Sequence, residues 1–313
     1  MKIVVLDDYQ DVARGLADWD SLGAEVEVIT SHLGDHDELV RRLAGAEVVV
    51  AMRERTRFPA ALLEQLTDLK LLVSTGHRNA AIDLKATERL GITVCGTGYL
   101  PYPTAEHTWA LILAAHRHLE TELATMREGT WQSTVGTGLH GRTLGLLGLG
   151  NLGQRVATVG QAFGMETIAW SQNLTAERAS EHGVTAVSKE DLFARSDVLS
   201  VHLVLSKRTR GLVGAAELAS MKRGALLVNT SRGPIVDEQA LLEALRSQRI
   251  HAALDVYDTE PLPADHPLRA MRNATLTPHL GYVTREVYEI FYRDAVEDIA
   301  AWQAGQPVRI MTL

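Results

Sequence analysis

What this 313-residue sequence lacks narrows its possible functions first. It has one cysteine, Cys95, so no internal disulfide can form, and a lone thiol fits a reducing cytosol. Cys95 follows Ile92 and Val94 in an alternating run, the pattern of a buried strand residue and not of a nucleophile. No apolar run approaches the length of a membrane span. The opening MKIVVLDDYQ carries one lysine and a short apolar run before two acids, which reads as a first strand and not as a signal peptide. A cytoplasmic location is expected on these grounds. Positive charge is also short: 31 Lys and Arg against 39 Asp and Glu leave a net charge of −8. That argues against a nucleic-acid partner, because neutralising phosphates takes a basic face. Repeats of solenoid period and low-complexity segments are absent, and no metal is implied. What remains is an ordinary globular composition, 46% apolar and 22% charged, on a chain long enough for two domains.

The stretch around which the rest is organised is TLGLLGLGNLGQRVATVGQAFGMETIAWS, residues 143–171. It reads as an apolar strand, a glycine turn, an amphipathic helix carrying Val156, Val159 and Phe163, and a second strand over residues 167–170. Within the turn Gly148-Leu149-Gly150-Asn151-Leu152-Gly153, Gly148 permits the tight bend. Gly150 admits a pyrophosphate to the backbone, and Gly153 allows close packing of helix on strand. The free N–H groups and positive end of the following helix then face the phosphates. A carboxylate is expected about 20 residues on to bind the 2′-hydroxyl of NAD. That place holds Trp170-Ser171-Gln172-Asn173. With no acid there, repulsion of a 2′-phosphate is removed, and Ser171, Gln172 and Asn173 can donate hydrogen bonds to one; Arg178 is the nearest guanidinium. The cofactor is NAD or NADP, with a lean towards NADP.

Strands are expected at residues 2–6, 25–29, 47–51, 70–74 and 93–95, with helical patterns at 39–43, 59–66 and 84–90 between them. Such alternation implies a parallel sheet covered on both faces. The breaker cluster over residues 96–103 reads as a hinge, after which Thr104 is expected to cap a single helix running from His107 to about Met126. Residues 127–141 read as irregular. Further strands are expected at 198–203, 225–228, 251–254 and 274–276, and one long helix at 285–302 closes the chain. The fold class is therefore α/β with two doubly wound parallel-sheet domains: a Rossmann dinucleotide-binding domain, residues 100–283, inserted in a flavodoxin-like substrate domain, residues 1–99 plus 284–313. The active cleft is expected between them.

Three strand ends in the second domain carry polar residues. Asn229-Thr230-Ser231-Arg232-Gly233, Asp255-Val256-Tyr257-Asp258-Thr259-Glu260-Pro261 and Thr277-Pro278-His279-Leu280-Gly281 all follow apolar runs. Reducing a 2-keto acid there takes a guanidinium to grip the carboxylate and an imidazolium to hand a proton to the developing alkoxide. A carboxylate beside the imidazole holds its tautomer and favours its charged form. Arg232, His279 and Glu260 supply these three chemistries. The turn Ser74-Thr75-Gly76-His77-Arg78-Asn79 follows the fourth strand and is a candidate binding loop.

These segments resemble the D-isomer-specific 2-hydroxyacid dehydrogenase family over nearly the whole chain. The likeness is carried by the glycine turn, Asn229–Gly233, Asp255-Val256-Tyr257 through Glu260-Pro261, and Thr277–Gly281 in that order. It implies Arg232, Glu260 and His279 as catalytic residues and Asp255 as the partner of the nicotinamide amide. It implies substrate-carboxylate binding by backbone amides in the loop 74–78, which includes Thr75, Gly76 and His77, together with Arg232 and His279. Cofactor contacts follow at Thr104, Asn151, Leu152, His202, Val204, Leu205, Thr230, Ser231, Arg232, His279 and Gly281. Ser171 departs from the acid many members carry, and Val204 stands where many have proline.

The expected function is hydride transfer between NAD(P)H and a small 2-keto acid, giving the D-2-hydroxy acid, with glyoxylate or hydroxypyruvate as the generic substrate. Arg53, in the tip after the third strand, is a candidate for a second anion of the substrate, and Tyr9, Tyr99, Leu100 and Tyr102 are candidates to line the cleft. The alternative is a catalytically silent NAD(H)-sensing interaction protein of the same fold; the long tails of such corepressors are missing here. Residues 127–141 and the helix before them carry apolar residues expected to be exposed, including Trp109 and Trp131, and the resemblance implies that these pair two cofactor domains in a homodimer.

Overall fold

The computed structural model describes residues 1–312 and divides into two compact units, residues 1–100 with 283–312 and residues 101–282. In the first unit, β1 (Lys2–Val5), β2 (Glu25–Val28), β3 (Val48–Ala51), β4 (Leu71–Ser74) and β5 (Thr93–Gly96) form one sheet in the order β2-β1-β3-β4-β5. Every neighbouring pair is parallel. Strands β3 and β4 are buried along their whole length, as continuous Val and Leu runs require when helices cover both faces. The closing helix Arg285–Gln303 buries Val287, Phe291, Tyr292, Ala295 and Ile299 against this unit. Cys95 is fully buried in β5, where desolvation pushes its thiol up to about 12.

The second unit holds β6 (Thr143–Leu147), β7 (Glu166–Trp170), β8 (Thr185–Ala186), β9 (Val198–Val201), β10 (Leu226–Asn229), β11 (His251–Leu254) and β12 (Ala274–Leu276). Their order is β12-β11-β10-β9-β6-β7-β8, all parallel, so strand order reverses between β6 and β9. This is the doubly wound arrangement whose ligand crevice opens beyond the carboxyl ends of the strands at the reversal. Two apolar clusters cover the two faces, one around Phe193, Leu218, Leu241 and Leu245, the other around Trp109, Ile112, Val156 and Ala157. No helix of the described residues is long and apolar enough to cross a membrane.

Four local expectations are corrected. Thr104 does not cap its helix, which spans Pro103–His116 with Tyr102 at the N-cap. Proline at the first helical position has the right φ and needs no N–H partner, which moves the start by one residue. The helix also does not run on to Met126: His118 adopts φ +49° and a separate helix Leu119–Arg127 follows. The His116 carbonyl at the break is taken by the Thr137 N–H at 2.8 Å, a tertiary contact. Trp109 is buried, not exposed, because its ring packs at a tilt against Phe163, centroids 5.1 Å apart, and its Nε1–H bonds to the Val156 carbonyl at 3.2 Å. Val159 and Phe163, given as apolar residues of the amphipathic helix, are 38% and 39% exposed. The buried face of their helix, Asn151–Ala162, is instead Gly153, Val156, Ala157 and Gly160, whose small residues let it lie close on the sheet. Trp131 is exposed, as are Leu123, Met126 and Val135.

Candidate active site

The glycine turn has a distinct geometry at each glycine. Gly148 ends β6 with φ +106°, outside the range of other residues, and a Cβ on it would lie 2.8 Å from the His202 carbonyl oxygen. A Cβ on Gly153 would lie 2.2 Å from the Gly148 carbonyl oxygen, so only glycine allows this helix to meet this strand. Gly150 differs: its missing side chain leaves open space with no atom within 4 Å. It is the N-cap of Asn151–Ala162, and no side chain caps that terminus. An open cradle facing uncapped N–H groups is what a pyrophosphate requires, so these residues fit a dinucleotide. At the ribose end, β7 stops at Trp170; Ser171 is half-buried, and Gln172, Asn173 and Arg178 are exposed. Across the turn, His202 is partly buried, its Nε2 lies 2.9 Å from Ser200 Oγ, and desolvation pushes the ring down to about 4. Val204 beyond it is 81% exposed.

The loop after β10 is shaped by buried Asn229, whose side chain donates to the Arg232 carbonyl at 3.0 Å and accepts from the Ser231 N–H at 3.0 Å. Gly233 then packs directly on the loop after β11: a Cβ there would stand 2.1 Å from the Tyr257 carbonyl carbon. Arg232 is thereby set next to the loop that carries Glu260. Glu260 accepts from the Tyr257 N–H through Oε1 at 2.9 Å and meets His279 Nδ1 through Oε2 at 2.5 Å. Because a carboxylate only accepts, Nδ1 carries the proton and Nε2 is the ring atom left for other work. His279 itself sits at φ +54°. Its loop is held by Asp255, a fully buried carboxylate accepting from the Leu280 N–H at 2.7 Å, the Gly281 N–H at 2.8 Å and the Thr277 hydroxyl at 2.6 Å. Burial works to raise Asp255, but hydrogen bonds from His107 and Thr277 outweigh it and hold the acid below its ordinary value.

The first unit places its candidates at the tips of β3 and β4. Arg53, at φ +52°, donates its N–H to Thr75 Oγ1 at 2.9 Å, and its guanidinium lies over Gly76, where a Cβ would be 1.9 Å away. Asn79 ties the two tips together, donating to the Arg53 carbonyl at 2.6 Å and to Ser74 Oγ at 3.0 Å. His77 stacks on Tyr99 at 4.8 Å; burial, then the charges of Arg53 and Arg78, lower its pKa. Two amides of this loop already have partners: Thr75 N–H donates to the Ala51 carbonyl at 2.9 Å and Gly76 N–H to Thr97 Oγ1 at 2.7 Å.

Sequence reasoning passed over His107, Thr108 and Thr97, and placed Asn79 in the candidate loop without a role. The first two had a signal, since Thr104, His107 and Thr108 are polar at helical spacing on an apolar helix. Thr97 had none, because its partner Gly76 is 21 residues away, and the bond from Asn79 to the Arg53 carbonyl likewise spans 26 residues.

Together these are the features of an oxidoreductase that works with a nicotinamide dinucleotide. Comparison with known proteins narrows the class: the family model described as D-isomer specific 2-hydroxyacid dehydrogenase, NAD binding domain, matches residues 109–281. The chain belongs to the D-isomer specific 2-hydroxyacid dehydrogenase family. It is 42% identical to a glyoxylate reductase of Aeropyrum pernix over 261 residues, which covers 80% of this chain and 78% of that one. It is 38% identical to a D-3-phosphoglycerate dehydrogenase of Archaeoglobus fulgidus over 92% of its length but spans 55% of that longer protein. A phosphoglycerate oxidoreductase from Vibrio cholerae O395 shares the fold with a TM-score of 0.93 at 40% identity, covering 97% of this chain and 99% of the other.

Proposed function

We propose that this enzyme reduces glyoxylate, hydroxypyruvate or a similarly small 2-keto acid to the D-2-hydroxy acid, with NADPH preferred over NADH. The bound nicotinamide supplies the hydride. Arg232 grips the substrate carboxylate with its planar fork. His279 donates the Nε2 proton to the carbonyl oxygen as it becomes an alkoxide, and its charge stabilises that oxygen beforehand. Glu260 keeps the imidazole in the required tautomer and balances its charge. Asp255 accepts from the carboxamide of the nicotinamide, and Thr104, His202, Leu205, Thr230, Ser231 and Gly281 line the cofactor. In the first unit, His77 of the loop after β4 and Arg53 of the tip after β3 are the candidates to bind the substrate, the Thr75 and Gly76 amides being already bonded to Ala51 and Thr97. The observation that carries this reading is the 2.5 Å Glu260–His279 pair, with the second Glu260 oxygen tied to the Tyr257 backbone.

The preference for NADPH is supported by Ser171, Gln172 and Asn173 standing where an acid would repel a 2′-phosphate. Exposed Leu119, Leu123, Met126, Trp131 and Val135 support a homodimer formed through the cofactor unit. The lone, buried cysteine suits a cytoplasmic enzyme. The test is a panel of 2-keto acids with NADPH and NADH, followed at 340 nm. His279→Ala is expected to lower turnover by about 10² or more, and Arg232→Ala chiefly to raise the KM of the keto acid. Unchanged turnover in the His279 variant overturns the assignment.

A further inference from the structure

The first two turns of the helix Pro103–His116 present three polar side chains on one face, and between them they hold three strand-end loops of the second unit. Thr104 Oγ1 donates to the Gly281 carbonyl at 3.0 Å, and Thr108 Oγ1 lies 2.8 Å from Thr230 Oγ1. His107 Nε2 lies 3.1 Å from Asp255 Oδ1 and 3.0 Å from Thr277 Oγ1. The proton positions follow from valence. Thr277 donates its hydroxyl hydrogen to Asp255 at 2.6 Å, so its oxygen is left to accept, and the carboxylate can only accept. Nε2 of His107 therefore carries a hydrogen directed at both.

We propose that His107 is a positioning residue of this enzyme: its Nε2–H orients the Asp255 carboxylate and, through Thr277, the loop that carries His279. His107 touches neither substrate nor hydride. It acts through two groups that do different jobs, one facing the cofactor amide and one facing the keto oxygen, and it aligns them with a single donor. This rests on the roles given to Asp255 and His279 under the proposed function. The backbone N–H groups of Leu280 and Gly281 bond Asp255 without help from His107, so loss of the imidazole leaves the loop closed but takes away one of the three donors on Asp255 Oδ1 and the donor on Thr277.

The test compares His107→Ala, His107→Gln and Thr277→Val in the full chain, by fluorescence titration with NADPH and by steady-state kinetics with glyoxylate. His107→Ala is expected to raise the NADPH Kd about tenfold and lower kcat about tenfold at saturating cofactor, the scale of one hydrogen bond to a charged acceptor. The KM for glyoxylate stays within about twofold. His107→Gln keeps a donor on a side chain of similar reach and returns both quantities most of the way. Thr277→Val follows the alanine variant. A folded His107→Ala protein with wild-type Kd and kcat overturns the proposal, and so does a glutamine variant as defective as alanine. If the alanine variant does not fold, the glutamine and Thr277 variants decide. A wild-type protein that binds NADPH but reduces no keto acid refutes the functional reading instead, and the Kd comparison still decides the role of His107.

Discussion

Gly233 offers the sharpest mechanical test of how the site is assembled. A Cβ built on it would stand 2.1 Å from the Tyr257 carbonyl carbon, 2.3 Å from its oxygen and 2.6 Å from the Asp258 nitrogen. All three are backbone atoms, so no side chain can swing aside. Contacts below 3.0 Å are essentially never made by a real Cβ, so Gly233→Ala must drive the Arg232 loop and the Tyr257–Glu260 loop apart by about 0.9 Å. A displacement near 1 Å in a reacting geometry costs roughly 10²-fold in rate. Overpacking a buried backbone contact costs about 1–3 kcal/mol, which for a unit of this size lowers Tm by roughly 2–12 °C. The assay is kcat/KM for the keto acid at saturating NADPH beside a circular-dichroism melt. A variant that melts with the wild type and keeps kcat/KM within threefold would show that the two loops are not held together through this glycine.

Other predictions concern separate parts of the molecule. Ser171→Asp is expected to move the cofactor preference towards NADH by tenfold or more in kcat/KM, measured with both cofactors; an unchanged ratio rules out Ser171 as the discriminating position. Gly153→Ala would place its methyl 2.2 Å from the Gly148 carbonyl, and NADPH binding followed by fluorescence is expected to be lost while the first unit keeps its helix and sheet signal. Asp298 is fully buried, with one oxygen bonded to Arg309 at 2.9 Å, and burial raises it to about 7. An acid raised on folding stabilises the native state in its protonated form, so its contribution is intact below about pH 4 and is lost as pH rises towards 7. Asp298→Asn should therefore gain Tm relative to wild type between about pH 4 and pH 7, and a constant difference across that window contradicts it. Cys95 is buried and its thiol raised to about 12, so the native protein should react with a thiol reagent at pH 7.5 no faster than it opens, and immediate labelling refutes this.

Much of this protein was legible without coordinates because its signals are local. Strand β6, the glycine turn and the helix after it lie in one continuous stretch, and each glycine is demanded by a backbone approach a few residues away, as Gly153 is by Gly148. Runs such as Val48–Ala51 and Leu71–Ser74 announce parallel strands because burial on both faces removes any polar alternation. The tertiary structure decided what depends on residues far apart in the chain. It buried Trp109 under Phe163, broke the helix at His118 beneath Thr137, and gave the amide of Gly76 to Thr97. It also drew His107 to Asp255 across 148 residues of chain, where a 3.1 Å hydrogen bond forms because a helix start and a strand end meet on one edge of the sheet. Periodicity reports which face of an element is apolar; only the packed sheet sets which polar atoms stand within 3 Å of one another.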